Sequence, residues 1–159
     1  MKWLRSLLLK FAGIPGEAAR ALPVRVLAVM AKDSHGQALA HIAEKAKWHI
    51  EFITGYDAAV SLMRRHEFAV ILCDRDLAGS NWREALAKLV VTAPGSHVIL
   101  ASRVNDDQLW QEVIRLGGYD VLTKPFQQER VMRSINYAGL TRSRPYGRHT
   151  ESIPESPSD

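Results

Sequence analysis

Cysteine is nearly absent from this sequence. Cys73 is the only cysteine in 159 residues, so no disulfide can form within the chain. It lies inside an apolar run, which favours a buried thiol over a reactive one. The six histidines share no spacing that is typical of a metal cluster. We therefore predict a cytoplasmic protein without a disulfide scaffold or a histidine-rich metal centre.

Long hydrophobic runs and a strong charge of either sign are also lacking. The formal net charge is +4, and the basic residues are scattered except at both ends, which does not predict nucleic-acid binding. Residues 1–11 have apolar side chains at helical spacing, but Lys10 interrupts them too early for a membrane span. We expect residues 1–23 to form an amphipathic extension that packs on the domain or on a second copy of the chain. Membrane contact by this segment is the less favoured alternative.

What is present is a fivefold alternation of short apolar runs and amphipathic helical segments. It predicts one α/β domain over residues 24–141, with a doubly wound, five-stranded parallel sheet in the flavodoxin-like order 2-1-3-4-5. We expect two helices on one face of the sheet and three on the other. Residues 142–159 are rich in Arg, Ser, Pro and acidic side chains, so we predict a disordered tail there.

The predicted elements have recognisable boundaries. Capping-box spacing after Ser34 and Asn81 predicts two helix starts, and Asn105 is expected to cap a third helix that ends at Gly117. The predicted strands cover residues 24–29, 49–53, 68–73, 97–101 and 119–123, and the helices cover 34–47, 57–65, 127–140 and the segments after Asn81 and Asn105.

Polar side chains follow three of the predicted strands. Asp74 ends the third strand, Ser102 ends the fourth, and Lys124 follows the fifth. Because ligands bind at the carboxyl ends of strands in an open parallel sheet, we expect these three groups to meet in one crevice. A carboxylate, a hydroxyl and an ammonium form a set suited to handling a phosphoryl group.

These residues resemble the receiver domain of two-component response regulators, in particular the chemotaxis regulators. The resemblance covers about residues 24–140 and includes Ala78-Gly79 after Asp74, Gly117-Gly118 before the last strand, and the run from Leu122 to Phe126. It implies that Asp74 is the phosphoacceptor, that Ser102 is the switch hydroxyl, and that Lys124 contacts the phosphate. It also implies a cis peptide bond before Pro125.

The sequence departs from the family where magnesium would bind. The two adjacent acids that the family places after its first strand correspond to Met30 and Ala31, which offer no oxygen ligand. We therefore predict no metal centre and no cofactor, with magnesium binding weak or absent. Asp33 is expected to cap a helix, although Asp33 and Asp76 are the alternative acids if the metal site is shifted.

Two further departures concern switching. Arg103 stands where the family has a small residue, and Val121 stands where an aromatic residue often lies. We expect Arg103 to pair with Asp74 and to gate the crevice, because a partly buried carboxylate favours a second cation. The alternative is that Arg103 points outward into a basic docking surface.

We interpret the chain as a stand-alone, atypical receiver, and not as an enzyme, that acts in phosphorelay signalling by docking other proteins. Its partners would be signalling proteins such as a sensor histidine kinase or a downstream effector, and a homodimer is left open. One alternative is a conventional phosphorylated receiver with a shifted metal ligand. Another is a small flavodoxin-like enzyme, although residues 32–36 do not form a glycine-rich phosphate loop.

Overall fold

The computed structural model describes residues 23–77 and 79–141 as five alternating strand and helix pairs. The strands are β1 (Arg25–Val29), β2 (His49–Ile53), β3 (Val70–Asp74), β4 (His97–Ser102) and β5 (Asp120–Thr123). The helices are α1 (Ser34–Ala46), α2 (Tyr56–Arg65), α3 (Trp82–Thr92), α4 (Asp107–Arg115) and α5 (Gln128–Leu140). The predicted extension and tail lie outside the described residues, apart from Pro23. Among the described residues, no helix is long and apolar enough to cross a membrane.

The five strands form one parallel sheet in the order β2-β1-β3-β4-β5, which confirms the predicted topology. Alternation along β1 divides the core into two layers. Val26, Ala28 and Met30 face α1 and α5, whereas Leu27 and Val29 face α2, α3 and α4. The expected distribution of two helices on one face and three on the other is therefore confirmed. The order reverses beside β1, and this places a crevice between the carboxyl ends of β1 and β3.

Side-chain caps fix where three of the helices begin. Asp33 caps α1 by accepting hydrogen bonds from the backbone amides of His35 and Gly36, and Asn81 caps α3 as predicted. The prediction that Asn105 caps α4 was wrong: Asp106 is the cap, and its carboxylate accepts from the amide of Leu109. Asn105 instead donates to the hydroxyl of Thr123, which ties the loop after β4 to β5.

β5 is an edge strand whose backbone is covered by side chains at Val121. The carboxylate of Asp120 accepts from the Val121 amide at 2.8 Å, and the guanidinium of Arg130 donates to the Val121 carbonyl at 3.4 Å. Asp120 also accepts from the hydroxyl of Ser134 in α5. Both polar backbone groups of Val121 are thus bonded by neighbouring side chains.

The peptide bond between Lys124 and Pro125 is cis, as the resemblance implied.

Candidate functional site

A crevice of about 440 Å³ opens at the carboxyl end of the sheet, beside the reversal in strand order. Its lining combines small groups after β1 and β2 with charged groups after β3, β4 and β5. The lining residues are Ala31, Asp33, Thr54, Gly55, Asp74, Asp76, Leu77, Arg103 and Lys124. Of the three groups predicted to meet in one crevice, Asp74 and Lys124 do so, whereas Ser102 is not among the lining residues.

Asp74 and Lys124 form a buried ion pair at the centre of this site. Each residue is only 5% exposed, and Lys124 Nζ lies 2.7 Å from Asp74 Oδ1. The same carboxylate oxygen accepts a hydrogen bond from the backbone amide of Asp76 at 3.0 Å. A buried charge is tolerated only when it is paired and hydrogen-bonded, and the Asp74 carboxylate has both kinds of contact.

Asp76 and Arg103 lie at the rim of the crevice. Asp76 Oδ2 is 3.4 Å from Lys124 Nζ and 3.9 Å from Arg103 Nε. The Arg103 side chain is 71% exposed, and within the parts of the chain that the structure describes, its ion pair is with Asp76 and not with Asp74. The predicted Asp74–Arg103 pair was therefore wrong. Asp74 is buried against Lys124, whereas the Arg103 side chain extends into solvent at the rim and reaches Asp76.

The two positions that correspond to the family's acids have different surroundings. Met30 is fully buried in the hydrophobic layer under α1 and α5, whereas Ala31 is exposed and lines the crevice. Asp33 also lines the crevice, but one of its oxygens accepts the two capping hydrogen bonds of α1. These bonds, chiefly the one from Gly36, lower the pKa of Asp33.

No three His, Cys, Asp or Glu side chains come together in a group that could hold a metal ion within residues 23–77 and 79–141. Two of the acids in the crevice, Asp74 and Asp76, share the ammonium of Lys124.

Ser102 is almost fully buried at the end of β4 and is 1% exposed. Its hydroxyl oxygen accepts from the backbone amide of Val104 at 3.1 Å and from Arg75 Nη1 at 3.4 Å. Val121 is buried in the layer under α2, α3 and α4 and does not line the crevice. The Ser102 hydroxyl is thus bonded to Arg75, which directly follows β3, and to the loop after β4.

Sequence reasoning missed Arg75 and Tyr56. The Tyr56 hydroxyl donates to the backbone carbonyl of Asp74 at 3.2 Å, which fixes the end of β3 from the start of α2. Burial raises the pKa of this hydroxyl, and the neighbouring Cys73 and Asp74 raise it further. Both residues could have been found from their positions in the sequence. Arg75 directly follows Asp74, and Tyr56 follows Gly55 at the end of the loop after β2.

Cys73 is the buried thiol that the sequence predicted. It is fully buried in β3, and this burial, together with the negative charge of Asp74, raises its pKa to about 12. A thiol with so high a pKa is protonated at neutral pH and is a poor nucleophile.

Comparisons with known proteins agree with this fold. The family model of the response regulator receiver domain matches residues 26–136, which is more than half of the chain. The chain therefore belongs to the response regulator receiver family. Receiver domains are signalling domains of two-component systems.

Individual relatives are distant. The chain is 28% identical over 69 residues to the chemotaxis protein CheY of Listeria monocytogenes, a match that covers 43% of this chain and 58% of CheY. The curated relatives that it matches are spanned over only 35% to 58% of their own length.

Solved structures give the same fold at low sequence identity. Chemotaxis protein CheY4 of Vibrio cholerae has a TM-score of 0.67 at 19% identity, over 74% of this chain and 99% of that chain. The receiver domain of Ssk1 from Saccharomyces cerevisiae, solved with the histidine phosphotransfer protein Ypd1, has a TM-score of 0.66 at 18% identity, over 74% and 90%.

Proposed function

We propose that this chain is an atypical receiver that acts by docking other signalling proteins, and in which magnesium-dependent phosphorylation of Asp74 is weak or absent. The observation that carries this proposal is the composition of the crevice. A methyl group stands at Ala31, Met30 is buried in the core, and the carboxylate of Asp74 is already bonded to Lys124. These residues do not fit a conventional magnesium site, because that ion takes oxygen ligands in a nearly ideal octahedron.

The physical consequence follows from the chemistry of phosphoryl transfer. Such a transfer is catalysed mainly by positioning the reacting groups and by neutralising charge on the transferred group. Here Lys124 is the cation that contacts Asp74 directly, and Arg103 adds positive charge at the rim through Asp76. An incoming phosphoryl group would therefore meet less neutralising charge than a dication supplies, and the reaction would be slow.

Docking is proposed to involve α4, β5 and α5, as the family resemblance implies. Trp110 and Ile114 lie one turn apart on α4 and are 46% and 39% exposed, and Tyr137 on α5 is 61% exposed. Exposed large apolar side chains on one helix face, such as Trp110 and Ile114, favour a protein partner. The Ssk1 receiver was solved with a phosphotransfer protein, and we propose a partner of the same general class, a kinase, a phosphotransfer protein or an effector, for this chain.

A second candidate is a conventional phosphorylated receiver whose metal is held by other acids. Asp33 and Asp76 line the same crevice as Asp74, which is the observation in its favour. Against it, Asp33 uses one oxygen to cap α1, and an oxygen of Asp76 lies 3.4 Å from Lys124 Nζ. A metal would have to compete with both contacts.

Restoring one acid separates the two candidates. We expect Ala31→Asp to give measurable magnesium binding and faster labelling of Asp74 by a small phosphodonor such as acetyl phosphate, because it places a carboxylate on an exposed wall of the crevice. Labelling is followed on phosphate-affinity gels, with Asp74→Asn as the blank. Ala40→Asp, on the exposed face of α1, is the matched control for added negative charge.

The contrary result would be a wild-type protein that is labelled rapidly in millimolar magnesium and gains nothing from Ala31→Asp. That outcome would favour the conventional receiver with a shifted ligand, and Asp33→Asn and Asp76→Asn would then show which acid serves.

A further inference from the structure

Arg75, the residue after Asp74, contacts two groups that belong to different parts of the fold. Its Nη1 donates to the hydroxyl of Ser102 at 3.4 Å, and its guanidinium carbon lies 5.5 Å from the centre of the Trp82 ring. Ser102 ends β4 beside the crevice, whereas Trp82 is the first residue of α3. A guanidinium can stack on an aromatic ring while its N–H groups donate elsewhere, which lysine cannot do as well.

Trp82 is also in contact with a second arginine. The guanidinium carbon of Arg83 lies 4.6 Å from the centre of the same ring. Arg83 then forms a forked ion pair with Glu112 on α4, in which Nε bonds to one carboxylate oxygen and Nη2 bonds to the other at 3.1 Å. This pair lowers the pKa of Glu112, and the positive charges of Arg115 and Arg75 contribute to the shift.

We propose that Arg75 is a positioning residue that holds the Ser102 hydroxyl and couples charge at Asp74 to α4 through Trp82, Arg83 and Glu112. We call this row of contacts, from Ser102 through Arg75, Trp82 and Arg83 to Glu112, the arginine–tryptophan relay. It joins the end of β4, next to the crevice-lining Arg103, to the helix that carries Trp110 and Ile114.

The relay responds to charge because of where Arg75 stands. Arg75 directly follows Asp74 in the chain, and charges on neighbouring residues interact appreciably in a partly buried site. Its two contacts are long, so a change of charge at Asp74 can redistribute Arg75 between Ser102 and Trp82 at little cost. Any displacement of Trp82 is transmitted to α4 by the forked pair, which is geometrically stricter than a single contact.

The inference rests on the proposed function in one respect only, since it takes α4 to be part of the docking surface. It needs no phosphate and no metal. A loss of charge at Asp74 is sufficient, so it can be tested without a phosphodonor.

The experiment uses the full chain labelled with 5-fluorotryptophan, whose fluorine spectrum reports each of the four tryptophans. We expect Asp74→Asn to shift the signals of Trp82 and Trp110 but not that of Trp48, which bonds to Asn136 in α5 on the other face of the sheet. In the Arg75→Gln background, the response of Trp110 to Asp74→Asn should fall below half. Lys88→Gln, which removes an exposed cation of α3 outside the relay and outside the crevice, should leave the response unchanged.

Arg83→Gln breaks the relay on the exposed surface of α3 and should have the same effect as Arg75→Gln. It decides the test if Arg75→Gln impairs folding. The proposal is overturned if Asp74→Asn does not shift Trp110, or if the shift persists in Arg75→Gln or in Arg83→Gln. Magnesium-dependent labelling of the wild type would contradict the proposed function without touching this result, so the two failures are distinguishable.

Discussion

At the scale of single residues, the ion pair between Asp74 and Lys124 dominates the site. Two opposite charges share a nearly solvent-free position at the carboxyl end of the sheet. Removing both charges from water offsets much of their attraction, so the pair is weak evidence for net stability. Removing one partner is different, since it leaves the other charge buried without compensation.

Lys124→Met should therefore destabilise the domain by about 3–5 kcal/mol, measured as the free energy of unfolding in urea. Lys88→Met is the matched control, because the Lys88–Asp57 pair is exposed and should contribute less than about 1 kcal/mol. Adding Asp74→Asn to Lys124→Met should recover part of the loss. Equal losses for Lys124→Met with and without Asp74→Asn would mean that the two charges are not energetically coupled.

The residues of the site also differ in how far their contacts could be predicted from the sequence. Asp74 and Lys124 could be predicted because a strand end fixes where its next side chain lies. The partner of Arg103 could not, since several rotatable bonds separate its guanidinium from the backbone. Arg75 was missed because the role proposed for it depends on its contact with Trp82. Trp82 is seven residues further along the chain and is brought close only by the fold.

At the scale of elements, helix starts show the same division between local and distant causes. Asn105 and Asp106 are equally good capping residues in isolation. The choice of Asp106 for α4 depends on Thr123 in β5, which accepts a hydrogen bond from Asn105. For α1 the cap is Asp33, as expected, although the capping-box spacing had pointed to Ser34. The order of strands and helices was predictable from periodicity.

The cap of α1 also makes a pH-dependent prediction. Asp33→Ala should lower the free energy of unfolding by about 0.5–2 kcal/mol at neutral pH, because two backbone amides lose their acceptor. The folded-state pKa of Asp33 is lowered, so its stabilisation is present above the ordinary aspartate pKa and is lost as the pH falls through the lowered value.

Urea unfolding of wild type and Asp33→Ala at a series of pH values between about 2.5 and 7 is the measurement, since this range brackets an ordinary aspartate pKa near 3.9. The difference between the two proteins should shrink towards acid. A difference that stays constant with pH would mean that the ionised carboxylate is not what stabilises α1.

At the scale of the whole molecule, β3 is the most protected strand. It lies between β1 and β4, and all five of its residues are buried. Its Cys73 thiol, with a pKa of about 12, is the reporter that this position offers. Exposure of the thiol requires the helices on that face to separate from the sheet, which amounts to unfolding of the domain.

We therefore expect an aromatic disulfide reagent to modify Cys73 only through opening of the whole domain, with reclosing faster than the reaction. The rate of modification should rise with urea in proportion to the unfolded fraction. Fast modification in the absence of urea, or a rate that does not depend on urea, would show that β3 is reached by a local opening instead.

The side chains that cover Val121 have a consequence for how copies of the protein can meet. An edge strand with free amide and carbonyl groups is a template on which a strand from another molecule can grow, and that growth is a common beginning of fibrous aggregates. At Val121 neither backbone group is free for such pairing, because the amide donates to the Asp120 carboxylate and the carbonyl accepts from the Arg130 guanidinium. At high protein concentration, two copies are therefore expected to meet through their helices more readily than by pairing strands across β5. The bonded backbone at Val121 thus works against aggregation at this edge.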